Sequence, residues 1–367
     1  MSEITSPPPT TLEWEPQPSV RVVPKMRERW WLYGIFLLLT LFTTMVVGAR
    51  LEVNFLRQIP AFSLDEDTLS LFPVGWIARH PANLLMGLPF SLTLMCILFA
   101  HEMGHYLYAR YYRVHATPPL FIPCPYLSLF GTLGAFIRIK SPIPSRAALF
   151  DIGVAGPLAG FIPACFALLY GLSLSRPILG PPTPALQLGF PLVFVLAARL
   201  LHVAAPLSTL ALHPMADAAW VGMFATALNL LPAGQLDGGH IVSSISPRWH
   251  RRISLATVFA LVPLGKYLWM GWFIWAVLLA LTLRHPRVPR YPDVSGRRRI
   301  LAICALLVLA LTFAPAPLKN GSGRDFWREG WPSLRDWGMQ KAHSLRDDGI
   351  PGVHFLHDEV RRLLHRK

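Results

Sequence analysis

NLLMGLPFSLTLMCILFAHEMGHYLYARYY, residues 83–112, is the stretch on which the reading of this chain turns. It is apolar over most of its length, and about 20 such residues suffice for an α-helix to cross the hydrocarbon core of a bilayer. Yet His101, Glu102 and His105 fall within five positions of one another. Ionisable groups at membrane depth are costly and mark functional sites. On an α-helix, positions i and i+4 share one face. His101 and His105 can therefore grip one metal ion, and Glu102 stands one residue around the helix.

The rest of the chain fits a bilayer. Of its 367 residues 53% are hydrophobic and only 15% charged, and the mean hydropathy is +0.42, which is too apolar for an ordinary soluble enzyme. Thirty-five prolines point to broken or re-entrant segments, which a membrane tolerates only where protein or a cavity covers the freed backbone. The net charge of +14 comes from basic residues bunched beside apolar segments. That is how positive-inside topology and anionic lipid shape a sequence, so membrane lipid, and no nucleic acid, is the expected partner. Cys96, Cys124, Cys165 and Cys304 show no C-x-x-C spacing and read as packed thiols.

Outward from the motif, residues 1–29 read as a disordered cytoplasmic arm, rich in proline and carrying Arg21, Lys25, Arg27 and Arg29. No short apolar core of a secretory signal precedes the first span at 30–48, so insertion is expected to begin there. The loop with Asp65, Glu66 and Asp67 is external, and the second span, 83–112, runs inward to Arg110 and Arg113. Residues 114–146 hold Pro118, Pro119, Pro123, Pro125 and the run FGTLGAF at 130–136. Proline and glycine at that density forbid a spanning helix but suit a re-entrant β-like hairpin. A third span covers 147–174, where Gly156 and Gly160 have the spacing of a close helix contact. Residues 185–212 read as an interfacial helix that does not cross. A fourth span at 215–231 breaks at Pro232 and Gly234. Residues 253–283 read as two short passes divided at Pro263–Lys266, a last span covers 300–315, and 319–367 form a polar tail. The fold expected is thus an all-α polytopic membrane protein with about six to seven transmembrane helices over 30–318.

H-E-x-x-H is a zinc-peptidase pattern, with the glutamate as base. A catalytic zinc takes three protein ligands and keeps a fourth position open. Besides His101 and His105, the third ligand must be an acidic, His or Cys side chain from another segment. Asp237 is the outstanding candidate, because it follows the break at Pro232 and Gly234 and precedes Gly238 and Gly239. His240 and Asp151 compete with it.

HEMGH on one span, FGTLGAF after it, DIGVAGPLAG opening the next span and NLLPAGQLDGGH ending a later one together resemble the site-2 protease family of intramembrane zinc metalloproteases, peptidase family M50. The similarity covers about 83–315 and is nearest the branch with plant chloroplast and bacterial members. The resemblance implies one Zn2+ per chain held by His101, His105 and Asp237, with Glu102 serving the water. It also implies that Asn229 positions substrate or stabilises the oxyanion, and that the partner is a transmembrane protein cut in regulated intramembrane proteolysis. No insertion large enough for the PDZ domain of some relatives interrupts the chain.

A helical substrate hides its carbonyls in i to i−4 hydrogen bonds and must unwind before attack. The freed groups need new partners in lipid, and an extended edge at 130–136, with Gly131, Thr132, Leu133 and Gly134, can re-pair them by strand addition. The motif lies in the inner half of its span, so water enters from the cytoplasmic side, and the basic arm points to a bacterial inner membrane. The competing reading is a metal-ion or proton transporter that uses the same His and Asp cluster. Glu102 divides the two, since only a peptidase loses hydrolysis and keeps its metal on Glu102→Gln.

Overall fold

The structure is a computed structural model that describes residues 29–63, 69–179, 185–283 and 296–319. The expected arm and tail lie almost wholly outside the described residues, as do Asp65, Glu66 and Asp67.

The chain opens with α1 (Trp30–Leu56), the short α2 (Val74–Arg79) and a 3-10 turn (Pro81–Gly87) that runs into α3 (Leu88–Tyr111). β1 (Leu120–Pro123) and β2 (Thr132–Phe136) follow, then α4 (Arg146–Leu174) and β3 (Arg176–Pro177). α5 (Leu192–Leu200) and β4 (Leu210–Ala211) lead to α6 (Pro214–Leu230), α7 (Asp237–Ile245), α8 (Pro247–Tyr267), α9 (Gly271–Leu281) and α10 (Arg297–Thr312).

Local sequence sets the helix starts. The Ser145 hydroxyl accepts the Ala148 N–H at 3.1 Å and caps α4. Pro214 opens α6 at a position where the missing N–H costs nothing. α3, α4 and α6 pack on one another as the centre of the molecule, and α7 rests on α4. Outward-facing residues are strongly apolar: Leu38 on α1, Phe166 on α4 and Leu306 on α10 are 65%, 71% and 66% exposed. An apolar exterior of this kind is what a membrane-embedded body presents, where a water-soluble one would aggregate.

Among the described residues, three helices are long and apolar enough to cross a membrane: Trp30–Leu56, Pro81–Tyr111 and Arg146–Leu174. The expected six to seven spans are not confirmed among the described residues: α6, α9 and α10 are short, and the 21-residue α8 opens on Arg248, Arg251 and Arg252. α6 has 17 residues, α10 has 16 and α9 has 11. At about 1.5 Å per residue α6, the longest of these three, reaches only about 26 Å, short of the ~30 Å core. Region 185–212 forms the nine-residue α5, a 3-10 turn at Leu207–Thr209 and the edge β4, which pairs with β3. Over 253–283 the division falls after Tyr267, and Pro263 lies inside α8. It sits past the first turns, and the helix carries through it.

β1 and β2 form an antiparallel hairpin with Leu120 opposite Phe136 and Phe121 opposite Ala135, and a register shift before Pro123. Gly131 turns the hairpin at φ 78°, and its carbonyl accepts the Thr43 hydroxyl of α1 at 2.7 Å. The hairpin is thereby fixed between α1 and α3.

Candidate metal centre

His101 and His105 point from one face of α3, their ring centroids 4.9 Å apart. Asp237 reaches them from the first residue of α7. Its Oδ2 lies 3.4 Å from His101 Nε2 and 3.3 Å from His105 Nε2. The turn that delivers it is held from behind by α8, where the Ser254 hydroxyl accepts the Gly234 N–H at 3.2 Å and His250 Nε2 bonds the Gly234 carbonyl at 3.0 Å.

Small residues on α4 make room for the imidazoles. A Cβ on Gly156 would collide with the His105 ring, and one on Gly160 would stand 2.9 Å from the His101 Cβ. The His105 ring is aimed by its other nitrogen, since Nδ1 bonds the Ile152 carbonyl at 2.7 Å. A backbone acceptor of this kind fixes ring orientation and tautomer in metal-binding histidines. One residue earlier, Asp151 takes Arg298 Nε at 2.9 Å and a terminal guanidinium nitrogen at 2.8 Å. Tyr112 donates its hydroxyl to the same carboxylate. This clamp ties α10 and the end of α3 to the start of α4.

The donor set fits a zinc-sized ion. A tetrahedral shell with bonds of about 2.0–2.1 Å has edges of about 3.3–3.4 Å, which matches both Asp237–imidazole spacings. His101, His105 and Asp237 are the one group of three or more such side chains among the described residues whose ligand atoms gather this closely, all within 4.8 Å. The two histidines are 5% and 7% exposed and Glu102 is 6% exposed. Two carboxylates in so apolar a setting call for a compensating cation.

Of the other anticipated residues, Asn229 at the end of α6 is part of the cluster, its amide nitrogen 3.3 Å from His101 Nε2. The backbone N–H of Ile137, just past β2, lies near enough to Glu102 to act on its carboxylate, which brings the hairpin edge to this group. Thr132 and Leu133 lie on β2, with Leu133 68% exposed. The Gly134 N–H is taken by the Thr132 hydroxyl at 2.9 Å. Asp151 is occupied by its clamp, and neither it nor His240 joins the group. Gly156 and Gly160, read from sequence as a packing surface alone, stand directly behind the two imidazoles. Arg298 and the Ile152 carbonyl were not anticipated, and no local pattern marks either.

Residues 89–268 match the model described as Peptidase family M50. Through this segment the chain belongs to peptidase family M50. The family M50 segment contains the whole cluster, and the match gives no support to the transporter reading. The chain is 30% identical over 301 residues to a protein named probable zinc metalloprotease EGY1, chloroplastic, from Oryza sativa subsp. japonica, covering 78% of this chain and 51% of that one. It is 31% identical over 317 residues to probable zinc metalloprotease EGY2, chloroplastic, from Arabidopsis thaliana, covering 82% and 51%. The chain thus spans about half the length of the curated relatives it matches. Their names are chloroplastic, so the bacterial inner membrane expected from the basic arm is withdrawn.

Proposed function

We propose that the chain is a zinc-dependent intramembrane endopeptidase that hydrolyses a peptide bond in or near a transmembrane segment of another membrane protein. The observation that carries this reading is the meeting of His101, His105 and Asp237 at zinc-ligand spacing beside Glu102. Membership in family M50 and the names of the relatives support it.

His101, His105 and Asp237 hold the ion. Bound zinc supplies Lewis acidity, which lowers the pKa of water to about 7 and polarises a carbonyl. Glu102 takes the proton of the attacking water and passes it to the leaving amine. The Asn229 amide, beside His101, donates to the oxygen on which negative charge develops. The outer edge of β2 with Gly131, Thr132, Leu133 and Gly134 re-enters the membrane and receives the unwound substrate as an added strand. The Ile137 N–H at the end of that edge lies beside the Glu102 carboxylate, so a strand laid along it is led to the base. Lipid covers the apolar exterior, and water enters from the side of Arg110 and Arg113.

The test is to purify the full chain in detergent and to measure zinc per chain together with cleavage of a transmembrane peptide, for the wild type and Glu102→Gln. Zinc near one per chain in both, with cleavage by the wild type only, is the expected result. Cleavage by Glu102→Gln at the wild-type rate would remove Glu102 from the reaction, and a metal-free wild type would remove zinc.

A further inference from the structure

The first turns of α8 have an inner and an outer face. On the inner face His250 and Ser254 are buried. They bond the Gly234 carbonyl and accept the Gly234 N–H, which fixes these turns on the body of the protein. On the outer face Arg248, Trp249, Arg251 and Arg252 are exposed. Trp249 is 54% exposed, and the Arg252 guanidinium lies over its ring, 5.0 Å from the centroid. None of the three arginines has an ion-pair partner among the described residues, and α8 itself carries no acidic residue. Positions 248, 252, 259, 262 and 266 share one side of a helix with 3.6 residues per turn. The outer face therefore runs from the arginines into Phe259 and Val262, 69% and 44% exposed. Arg252 and Phe259 are about two turns, or ~10 Å, apart. The metal centre uses none of these side chains.

We propose that the outer face of α8 seats one anionic phospholipid, its headgroup among Arg248, Arg251 and Arg252 and its acyl chains along Phe259 and Val262. Guanidinium groups give phosphate oxygens paired, charge-assisted hydrogen bonds, and basic residues beside a membrane draw anionic lipid. Tryptophan favours the level of the headgroups, where Trp249 shares a turn with the arginines. The step from charged to apolar side chains along one face matches a lipid, which carries both kinds of surface in that order. A free phosphate would meet the guanidinium groups alone and gain nothing from Phe259 and Val262. The assignment stands apart from proteolysis and holds or fails without it.

The test places the full chain in nanodiscs of phosphatidylglycerol and phosphatidylcholine in equal amounts with the same acyl chains. Lipids that stay bound on release into detergent are then counted by native mass spectrometry. The wild type is expected to retain phosphatidylglycerol over phosphatidylcholine by about fivefold or more, the equivalent of one basic residue at an anionic surface. The combined variant Arg248→Gln, Arg251→Gln, Arg252→Gln should lose most of that preference. Arg57→Gln, Arg79→Gln, Arg199→Gln, which removes as many exposed charges elsewhere, should keep it. A wild type without preference, or an equal loss in both variants, which would signal diffuse attraction to net charge, would overturn the proposal. So would displacement of the retained lipid by inorganic phosphate but not by chloride at equal ionic strength. Should the α8 variant fail to fold, a phosphatidylglycerol with a photoreactive headgroup decides on the wild type alone. Labelling at residues 248–252 is expected, and labelling only elsewhere would overturn the proposal.

Discussion

Replacing Gly156 by alanine places a methyl group where the His105 imidazole now lies, and the three nearest ring atoms are all within 2.5 Å of the added carbon. Carbon contacts settle at about 3.5–4.0 Å, so the ring or α4 has to yield by at least about 1 Å. Neither yields cheaply. The ring is tied to the Ile152 carbonyl at 2.7 Å, and α4 is held close to α3, where a Cβ on Gly104 would already stand 2.5 Å from the Ala155 oxygen. Metal sites tolerate ligand displacements of only about 0.2 Å, and a 1 Å misplacement can cost about 100-fold in rate. Gly156→Ala is therefore expected to weaken zinc binding by at least about 10–100-fold, the loss typical of disturbing a ligand's support. Peptide cleavage should fall by about 100-fold or more. The assay is zinc competition against a chromophoric chelator on full-length protein in detergent, with cleavage of a transmembrane peptide measured in parallel. Gly160→Ala, 2.9 Å from the His101 Cβ, should give a smaller loss. Gly34→Ala, with nothing within 4 Å, should give none. A Gly156→Ala protein with wild-type zinc affinity and activity would refute the reasoning.

Asp151→Asn removes the charge that faces Arg298 and is expected to lower unfolding stability by about 1–3 kcal/mol, nearer the low end because the Arg298 side chain is 30% exposed. An unchanged denaturation midpoint would show that the clamp contributes nothing. Thr43→Val deletes the hydroxyl that holds the Gly131 carbonyl. It should cost about 1 kcal/mol and raise KM for a transmembrane peptide more than it lowers kcat, and the reverse split would contradict substrate pairing along β2. Ser254→Ala frees the Gly234 N–H behind Asp237 and should speed zinc loss to a chelator, whereas wild-type release kinetics would detach α8 from the metal centre.

What the sequence discloses follows from how local the physics is. The pairing of His101 with His105 is a property of one helical turn, so five letters suffice to place both rings on one face. Asp237 is readable because a break at Pro232 and Gly234 followed by Gly238 and Gly239 marks a sharp return of the chain. The proline-rich stretch after α3 rules out a spanning helix and suits a re-entrant loop or hairpin, because proline and glycine at that density break helical hydrogen bonding. Contacts between distant segments leave no such signature. Gly156 and Gly160 look like any close-packing pair until α3 is laid against them, and Arg298 meets Asp151 across 147 positions. The span count is less legible for a different reason. Apolar runs such as 215–231 resemble membrane helices in composition, but their length is decided by where the backbone turns to deliver Asp237.

X-ray absorption at the zinc edge of the purified full-length protein tests the central claim most directly. The account predicts about one zinc per chain, with two imidazole nitrogens at about 2.0–2.1 Å, carboxylate or water oxygen at about 2.0–2.2 Å and no sulfur. Sulfur at about 2.3 Å, which would signal cysteine ligands, or a shell without imidazole would contradict it.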